Sequence, residues 1–224
     1  MRLFIVGDVH GCLTQLKDLL EGVDEQIEEG DEVVFVGDYV DRGPDSKGVI
    51  DLLIERQKNH PNKHTFLMGN HEDMMLSGDY WLPNGGIQTI KSYIPNEEDW
   101  KDIPGHADFL RRFVPYEHKV FLNSLKMNYQ VGKVVVVHAA IDPACPLEDQ
   151  SSHTMLWERD FDGYNGEYNG GWTVVRGHTP LNGMKVTKNQ FMIDTACVFG
   201  GELTCLVIDP DKPSNYHTIS IWNF

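Results

Sequence analysis

Apolar positions in the first seventy residues follow two alternating rhythms. Continuous runs, Leu3-Phe4-Ile5-Val6 and Val33-Val34-Phe35-Val36, read as buried strands, and His64 to Met68 reads as a third. Between them, Leu13, Leu16, Leu19 and Leu20, and then Val49, Ile50, Leu52, Leu53 and Ile54, recur at helical spacing, so each intervening segment is an amphipathic helix with its stripe on the sheet. The order is βαβαβ, and right-handed crossovers make the sheet parallel. Each strand runs into a glycine-framed polar cluster: Gly7-Asp8-Val9-His10-Gly11, Gly37-Asp38-Tyr39-Val40-Asp41-Arg42-Gly43, and Gly69-Asn70-His71-Glu72. Parallel strands place these clusters on one sheet edge, where open α/β sheets bind ligands.

The pattern changes after residue 77. Residues 77–125 carry Trp81, Pro83, Asn84-Gly85-Gly86, Pro95 and Pro115, and read as a helical and loop insertion over the site edge. Trp81, Ile87, Ile90, Trp100, Phe109 and Leu110 are expected to form a small satellite core there, with a substrate-facing lid as the alternative. His60, His64, His106 and His118 show no partner pattern and read as surface or structural histidines.

Strand character returns at Tyr129. Gln130-Val131-Gly132-Lys133 resembles a hairpin turn, and Val134 to Val137 is a buried strand ending in His138-Ala139-Ala140. Met155 to Asp160 suggests a short helix presenting Arg159. Thr173 to Arg176 is another strand, ending in Gly177-His178-Thr179-Pro180. Phe191 to Asp194, Leu203 to Ile208 and Tyr216 to Ile221 follow, short strands separated by turns. They predict a second, largely antiparallel sheet, and two sheets with helices outside make a layered α/β sandwich.

Composition narrows the class. The 224 residues suffice for one large domain or two small ones, and no linker-like, low-complexity or repeated segment divides them. A formal charge of −15 argues against general nucleic-acid or anionic-membrane binding, while leaving room for bound cations or a local basic pocket. The amino terminus runs straight into a strand, with no signal peptide and no apolar run long enough to cross a bilayer. Cys12, Cys145, Cys197 and Cys205 lack metal-type spacing and read as reduced thiols, so a cytoplasmic protein is expected, monomeric or a small homo-oligomer.

Five strand ends now carry Asp8 and His10, Asp38, Asn70, His138, and His178. Asp8 and His10 are two apart, so in extended backbone both side chains point one way. Oxygen and imidazole ligands without cysteine suit Mn²⁺, Fe or Zn²⁺ in an open site. Six ligand side chains are too many for one catalytic ion that keeps open positions, and suit two ions sharing a carboxylate, an arrangement that clamps in-line displacement at phosphorus.

The motifs G-D-V-H-G, G-D-Y-V-D-R-G and G-N-H-E, in this order, resemble the phosphoprotein phosphatase branch of the calcineurin-like metallophosphoesterases. Trp81 to Gly86, Leu156 to Arg159, Gly177 to Pro180 and Ile193 to Gly201 extend the likeness to the phage lambda phosphatase and its bacterial relatives, over nearly the whole chain. Ala139-Ala140 departs from the two glycines of eukaryotic members. The resemblance implies a single domain over 1–224, with a layered α/β/β/α sandwich of two mixed sheets. It implies that Asp8, His10 and Asp38 hold one divalent ion, and that Asp38, Asn70, His138 and His178 hold a second. Mn²⁺ is expected first, with Fe, Zn²⁺ and Ni²⁺ as the other candidates. Arg42 and Arg159 would grip phosphate, His71 would protonate the leaving oxygen, and Asp41 would orient His71. Asp194 and the Thr195-Ala196 turn read as structural. A protein serine/threonine phosphatase, possibly acting on tyrosine too, is the implied function. Symmetrical diadenosine tetraphosphate hydrolysis is the alternative, disfavoured because those enzymes usually carry alanine where Asp41 stands. A non-catalytic binding module is disfavoured because ligands, arginines and the Asp41–His71 pair are all intact.

Overall fold

The computed structural model describes residues 1–60, 63–100 and 105–223. Its first half holds β1 (Leu3–Val6), α1 (Leu13–Asp24), β2 (Glu32–Phe35), α2 (Ser46–Asn59), β3 (His64–Phe66) and α3 (Asn70–Ser77), the expected βαβαβ unit followed by a helix. Helices α4 (Gly86–Tyr93), α5 (His106–Arg112) and α6 (Tyr116–Asn123) come next. The second half contains β4 (Asn128–Val131), β5 (Val134–Val137), α7 (Ser152–Trp157), β6 (Thr173–Arg176), β7 (Lys185–Val186), β8 (Gln190–Met192), β9 (Glu202–Asp209) and β10 (Lys212–Trp222).

These strands form two five-stranded mixed sheets, ordered β10-β9-β1-β2-β3 and β4-β5-β6-β8-β7. The parallel pairs are β1 with β2, β2 with β3, β5 with β6, and β6 with β8. The expectation of a largely antiparallel second sheet built from the late strands is therefore corrected. β9 and β10 belong to the first sheet, with β9 antiparallel to β1 (Leu3↔Ile208 through Val6↔Cys205), while β5, β6 and β8 give the second sheet a parallel centre. The late strands look like a local meander in sequence, but β9 pairs with a strand at the other end of the chain.

Strand alternation builds the layers. Leu3 and Ile5 of β1, Val34 of β2, Val134 and Val136 of β5, and Leu206 and Ile208 of β9 meet between the sheets. The intervening Phe4, Val6, Val33 and Phe35 point the other way, onto Leu16, Leu19 and Leu20 of α1 and Val49, Ile50 and Leu53 of α2. Val135 and Val137 face outward onto Met155 of α7 and Tyr168. Each such fully buried aliphatic side chain contributes roughly 1.5–3 kcal/mol. A one-residue slip would reverse every face, so the register that aligns the strand ends is strongly fixed.

The expected satellite core is also corrected. Trp81 and Phe109 are fully buried within the main helix-side core, and Ile90 and Leu110 pack against it. Ile87 is exposed, and the side chain of Trp100 lies outside the described residues. The segment is continuous with the main core because Phe109 meets Trp81 at a tilt and Tyr93 edge-on, which bridges α4 and α5. The four histidines set aside above are structural contacts: His118 bonds Tyr93 and Asp51, His106 bonds the Met75 carbonyl, and His60 and His64 pack together.

Candidate active site

The carboxyl ends of β1, β2 and β3 meet those of β5 and β6 at one edge of the sandwich. Backbone hydrogen bonds lock the loops together. Val9 and His10 N–H donate to the Asp38 carbonyl, Gly11 N–H donates to the Tyr39 carbonyl, and Gly177 N–H donates to the His138 carbonyl. Two glycines permit the contact: a Cβ on Gly177 would lie 1.8 Å from Asp8 Oδ1, and one on Gly43 would lie 1.9 Å from the His10 carbonyl oxygen. The loops are also tightly wound. Seven non-glycine residues among those described have positive φ, and five are His10, Asp38, Asp41, Arg42 and His178. Such conformations persist only where surrounding structure imposes them, and they cluster at functional sites.

Asp38 sits at the centre. Its Oδ2 is 3.4 Å from His10 Nε2 and its Oδ1 is 3.4 Å from His138 Nε2, so each oxygen faces a different imidazole. Ligand atoms within 4.8 Å of one another form two groups sharing this carboxylate: His10, Asp38 and His71, and Asp38, His138 and His178. Asn70 Oδ1 completes the second group, 2.9 Å from His138 Nε2 and 3.0 Å from His178 Nδ1. Asp8 stands outside both groups, and its two oxygens accept the His178 N–H at 3.2 and 3.0 Å. His71 joins the first group because its Nδ1 is turned to Asp41 while its Nε2 lies 4.0 Å from Asp38 Oδ2.

The residues fit a pair of cations. His10 Nδ1 pairs with the Val40 carbonyl at 2.9 Å and His138 Nδ1 with the Val36 carbonyl at 3.0 Å. A carbonyl only accepts, so both Nδ1 atoms carry the proton and both Nε2 lone pairs face Asp38. Burial pushes the His10 pKa down to about 3 and lowers that of His138, which keeps both rings unprotonated and able to ligate. Burial alone would raise the Asp38 carboxyl, but the fields of His138, His71, His10 and His178 outweigh it and hold it below the ordinary range. Burial raises the Asp8 carboxyl, and the neighbouring Asp194 and Asp38 add to the rise, a surplus of buried negative charge that cations would relieve.

Asp41 is fully buried and hydrogen-bonded on both oxygens. Oδ2 takes His71 Nδ1–H at 2.7 Å, and Oδ1 takes Trp81 Nε1–H at 2.9 Å and the Thr89 hydroxyl at 2.7 Å. The 77–125 segment thus supplies two of the three donors that hold the carboxylate behind His71. Glu72 braces the central loop: Oε2 accepts the N–H groups of Asp38 and Gly69, and Oε1 those of Tyr39 and Val40, all at 2.7–3.1 Å. Burial and Asp38 push its pKa up to about 8 against the pull of those donors. Arg42 Nη1 donates to His10 Nε2 at 2.6 Å, and Arg159 Nε donates to His178 Nε2 at 3.2 Å. Both guanidiniums therefore stand at the rim of the ligand groups.

The structure brings His10, Asp38, Asn70, His71, His138 and His178 together, with Asp8, Arg42 and Arg159 beside them, and adds three supporting side chains that the sequence did not single out. Glu72 was visible as the last residue of Gly69-Asn70-His71-Glu72, three residues past a helix-capping glycine, the spacing of a capping box. Nothing in the sequence pointed Trp81 or Thr89 at Asp41. Asp194 Oδ1 accepts the Ala196 N–H within the turn before β9.

Two mixed sheets with parallel strand ends converging on histidine–carboxylate groups that share one aspartate define a metal-dependent phosphoesterase. The calcineurin-like phosphoesterase family model matches residues 1–207, and the chain belongs to that family. Among curated relatives, the asymmetrical bis(5'-nucleosyl)-tetraphosphatase PrpE of Oceanobacillus iheyensis is 29% identical, with 91% of this chain and 87% of the relative aligned. Serine/threonine-protein phosphatase 1 of Salmonella typhimurium is 31% identical over 91% of this chain and 90% of its own. Among solved structures, a putative diadenosine tetraphosphatase superposes with a TM-score of 0.67 at 26% identity, covering 100% of this chain and 94% of that one. A cold-active protein-tyrosine phosphatase of a Shewanella species shares the fold, with a TM-score of 0.64 at 18% identity over 97% and 80% of the two chains.

Proposed function

We propose that this phosphoesterase acts on phosphomonoesters, with phosphoserine and phosphothreonine in proteins as its leading substrates. The observation that carries this is the buried Asp41–His71 pair, joined at 2.7 Å. A serine alkoxide is a strong base and needs a proton as the P–O bond breaks, whereas the phosphate leaving group of a polyphosphate needs that help far less. A histidine held by a carboxylate and turned to the site meets that requirement.

In this reading His10, Asp38 and Asp8 serve one ion, and Asp38, Asn70, His138 and His178 the other, with Mn²⁺ the first candidate. Two divalent ions there supply Lewis acidity and an activated water for in-line attack at phosphorus. The chain's own residues do the rest. Arg42 and Arg159 grip the phosphoryl oxygens through charge-assisted hydrogen bonds that a planar guanidinium is shaped to make. His71 Nε2 delivers its proton to the leaving oxygen, while Asp41 holds Nδ1 and stabilises the charged ring. A single domain over 1–224 with a supporting 77–125 insertion is part of the same reading.

The second reading, dinucleoside polyphosphate hydrolysis, is favoured by PrpE. PrpE is an asymmetrical hydrolase by name, in contrast to the symmetrical mode named above as the alternative. A panel of phosphoserine peptides, phosphotyrosine peptides, p-nitrophenyl phosphate and diadenosine tetraphosphate, assayed side by side with Mn²⁺, decides between them. Phosphoserine peptides are expected to give higher kcat/KM than diadenosine tetraphosphate, and the reverse order would install the second reading.

A further inference from the structure

A cleft of about 390 Å³ opens beside Arg42, lined by Arg42, Pro83, Asn84, Gly85, Gln88, Val198 and Phe199. None of the described residues that line it is a carboxylate, although the chain carries a net charge of −15. Its one charge is therefore the arginine that faces the ligand groups, which selects for an anion entering from that side.

Phe199 forms one wall. Its ring is 64% exposed, and the Arg42 guanidinium lies 5.6 Å from its centroid. Exposed aromatic rings on mobile loops are common, but this one is held. It ends a 3₁₀ turn, Cys197–Phe199, between Ala196 and Gly200, both in the left-handed conformation. Phe199 N–H donates to the Ala196 carbonyl, Gly200 N–H donates to the Cys197 carbonyl, and Asn223 Nδ2 donates to that same Cys197 carbonyl. A solvent-facing ring on a hydrogen-bonded turn, next to a phosphate-gripping arginine, is a stacking platform whose backbone is already ordered by the fold.

The opposite wall supplies edges rather than faces. Asn84 Nδ2 donates to the Tyr80 carbonyl at 2.8 Å, which fixes the amide and leaves Oδ1 directed away as an acceptor. Gln88 is exposed, and no described hydrogen bond engages its carboxamide. A carboxamide offers a paired donor and acceptor, the set that reads the N6/N7 edge of adenine. A phenyl ring has no edge that would use it.

We propose that this cleft is a nucleoside subsite. It takes a purine base stacked on Phe199 and read at its edge by Gln88 and Asn84, while Arg42 grips the phosphate that the nucleoside carries. The cleft would then supply the base recognition that the second reading above lacks. The inference goes beyond the phosphomonoester reading and rests on one part of it, the phosphate grip of Arg42.

Binding to the Mn²⁺-loaded protein by titration calorimetry tests it, with probes that resist hydrolysis. Adenosine 5′-(α,β-methylene)diphosphate is compared with methylenediphosphonate, and phenylphosphonate with methylphosphonate. The nucleoside is expected to tighten binding about tenfold, the scale of one stacked base. Phe199→Ala and Gln88→Ala should each remove most of that gain and leave methylenediphosphonate within about twofold of wild type, whereas Phe199→Trp should keep it. Phe199 is exposed, and an unchanged melting temperature confirms that the variants fold. Equal binding of the two diphosphonates in wild type overturns the subsite. So does a nucleoside advantage that survives both alanine changes. A phenylphosphonate gain equal to that of the nucleoside, indifferent to Gln88→Ala, overturns the base-reading role and makes the cleft an aryl pocket. If methylenediphosphonate itself is not bound, the failure lies in the phosphate grip, and the subsite falls with it.

Discussion

Asp38 carries more of the site than any other side chain. One oxygen faces His10 and the other faces His138, while Oδ1 also accepts the His71 N–H at 3.0 Å. Asp38→Asn keeps the shape but removes the charge and one acceptor, so both ions should be lost together. Metal analysis is expected to fall from two Mn²⁺ per chain to less than one, whereas His10→Asn should cost one ion alone. Retention of one tightly held ion in Asp38→Asn would contradict the sharing. His71 tests the other half of the chemistry. His71→Asn should keep both metals and lose about 10²–10⁴-fold in kcat on a phosphoserine peptide. The loss on p-nitrophenyl phosphate should be far smaller, because nitrophenolate leaves without a proton. A leaving-group series on the purified variant reads this directly. Equal losses across the series, or a missing ion, would mark His71 as a ligand, the role its 4.0 Å approach to Asp38 allows.

Among the elements, the start of α3 has a task that its own helix does not require. Glu72 reaches across to four backbone N–H groups, three of them in the loop after β2. Glu72→Gln replaces one acceptor oxygen with a donor and leaves two buried N–H groups facing it. At about 1–3 kcal/mol for each unsatisfied group, denaturant unfolding should show a loss of roughly 2–6 kcal/mol, with weaker Mn²⁺ binding because Asp38 is no longer held. Unchanged stability would remove the brace. The motif around Glu72 was legible in sequence, but its job was not, because its partners are main-chain groups that carry no sequence signal. The same limit explains the sheets. Periodicity showed that β1, β2, β5, β6 and β9 are strands, and the sequence showed which strand ends carry the histidines, carboxylates and Asn70 of the site. It could not show that β9 pairs with β1, since alternation specifies faces and not partners. Trp81 and Phe109 were legible as apolar, but whether an apolar residue joins a local cluster or the main core depends on where its helix is carried.

At the level of the whole molecule, the starts of the adjacent central strands β1 and β2 are tied by Arg2 and Asp31. Arg2 donates its N–H to Asp31 Oδ1 at 2.6 Å, and its Nε and Nη2 to Oδ2 at 3.0 and 2.7 Å. Burial alone would raise the Asp31 carboxyl, but Arg2 and the Glu28 N–H outweigh it and lower its pKa. A carboxyl lowered in the folded state adds stability above its ordinary titration range, and that stability fades as pH falls through the folded value. Asp31→Asn should therefore cost roughly 1–2 kcal/mol at pH 7, the low end for charge-assisted bonds because Arg2 is partly exposed. The gap from wild type should close as the buffer is taken below pH 4, and a gap independent of pH would show that shape alone is at work. The wound loops of the site act in the opposite direction. Five side chains there hold a backbone conformation that costs an L-residue about 1–2 kcal/mol, a sum comparable with the 5–15 kcal/mol that separates a folded domain from its unfolded chain. Glycine at positions 10, 38, 41, 42 and 178 would adopt the same backbone without that cost, and would carry none of the side chains from which the site is built. The backbone around the site is thus a place where the molecule forgoes durability in order to seat the side chains of its chemistry.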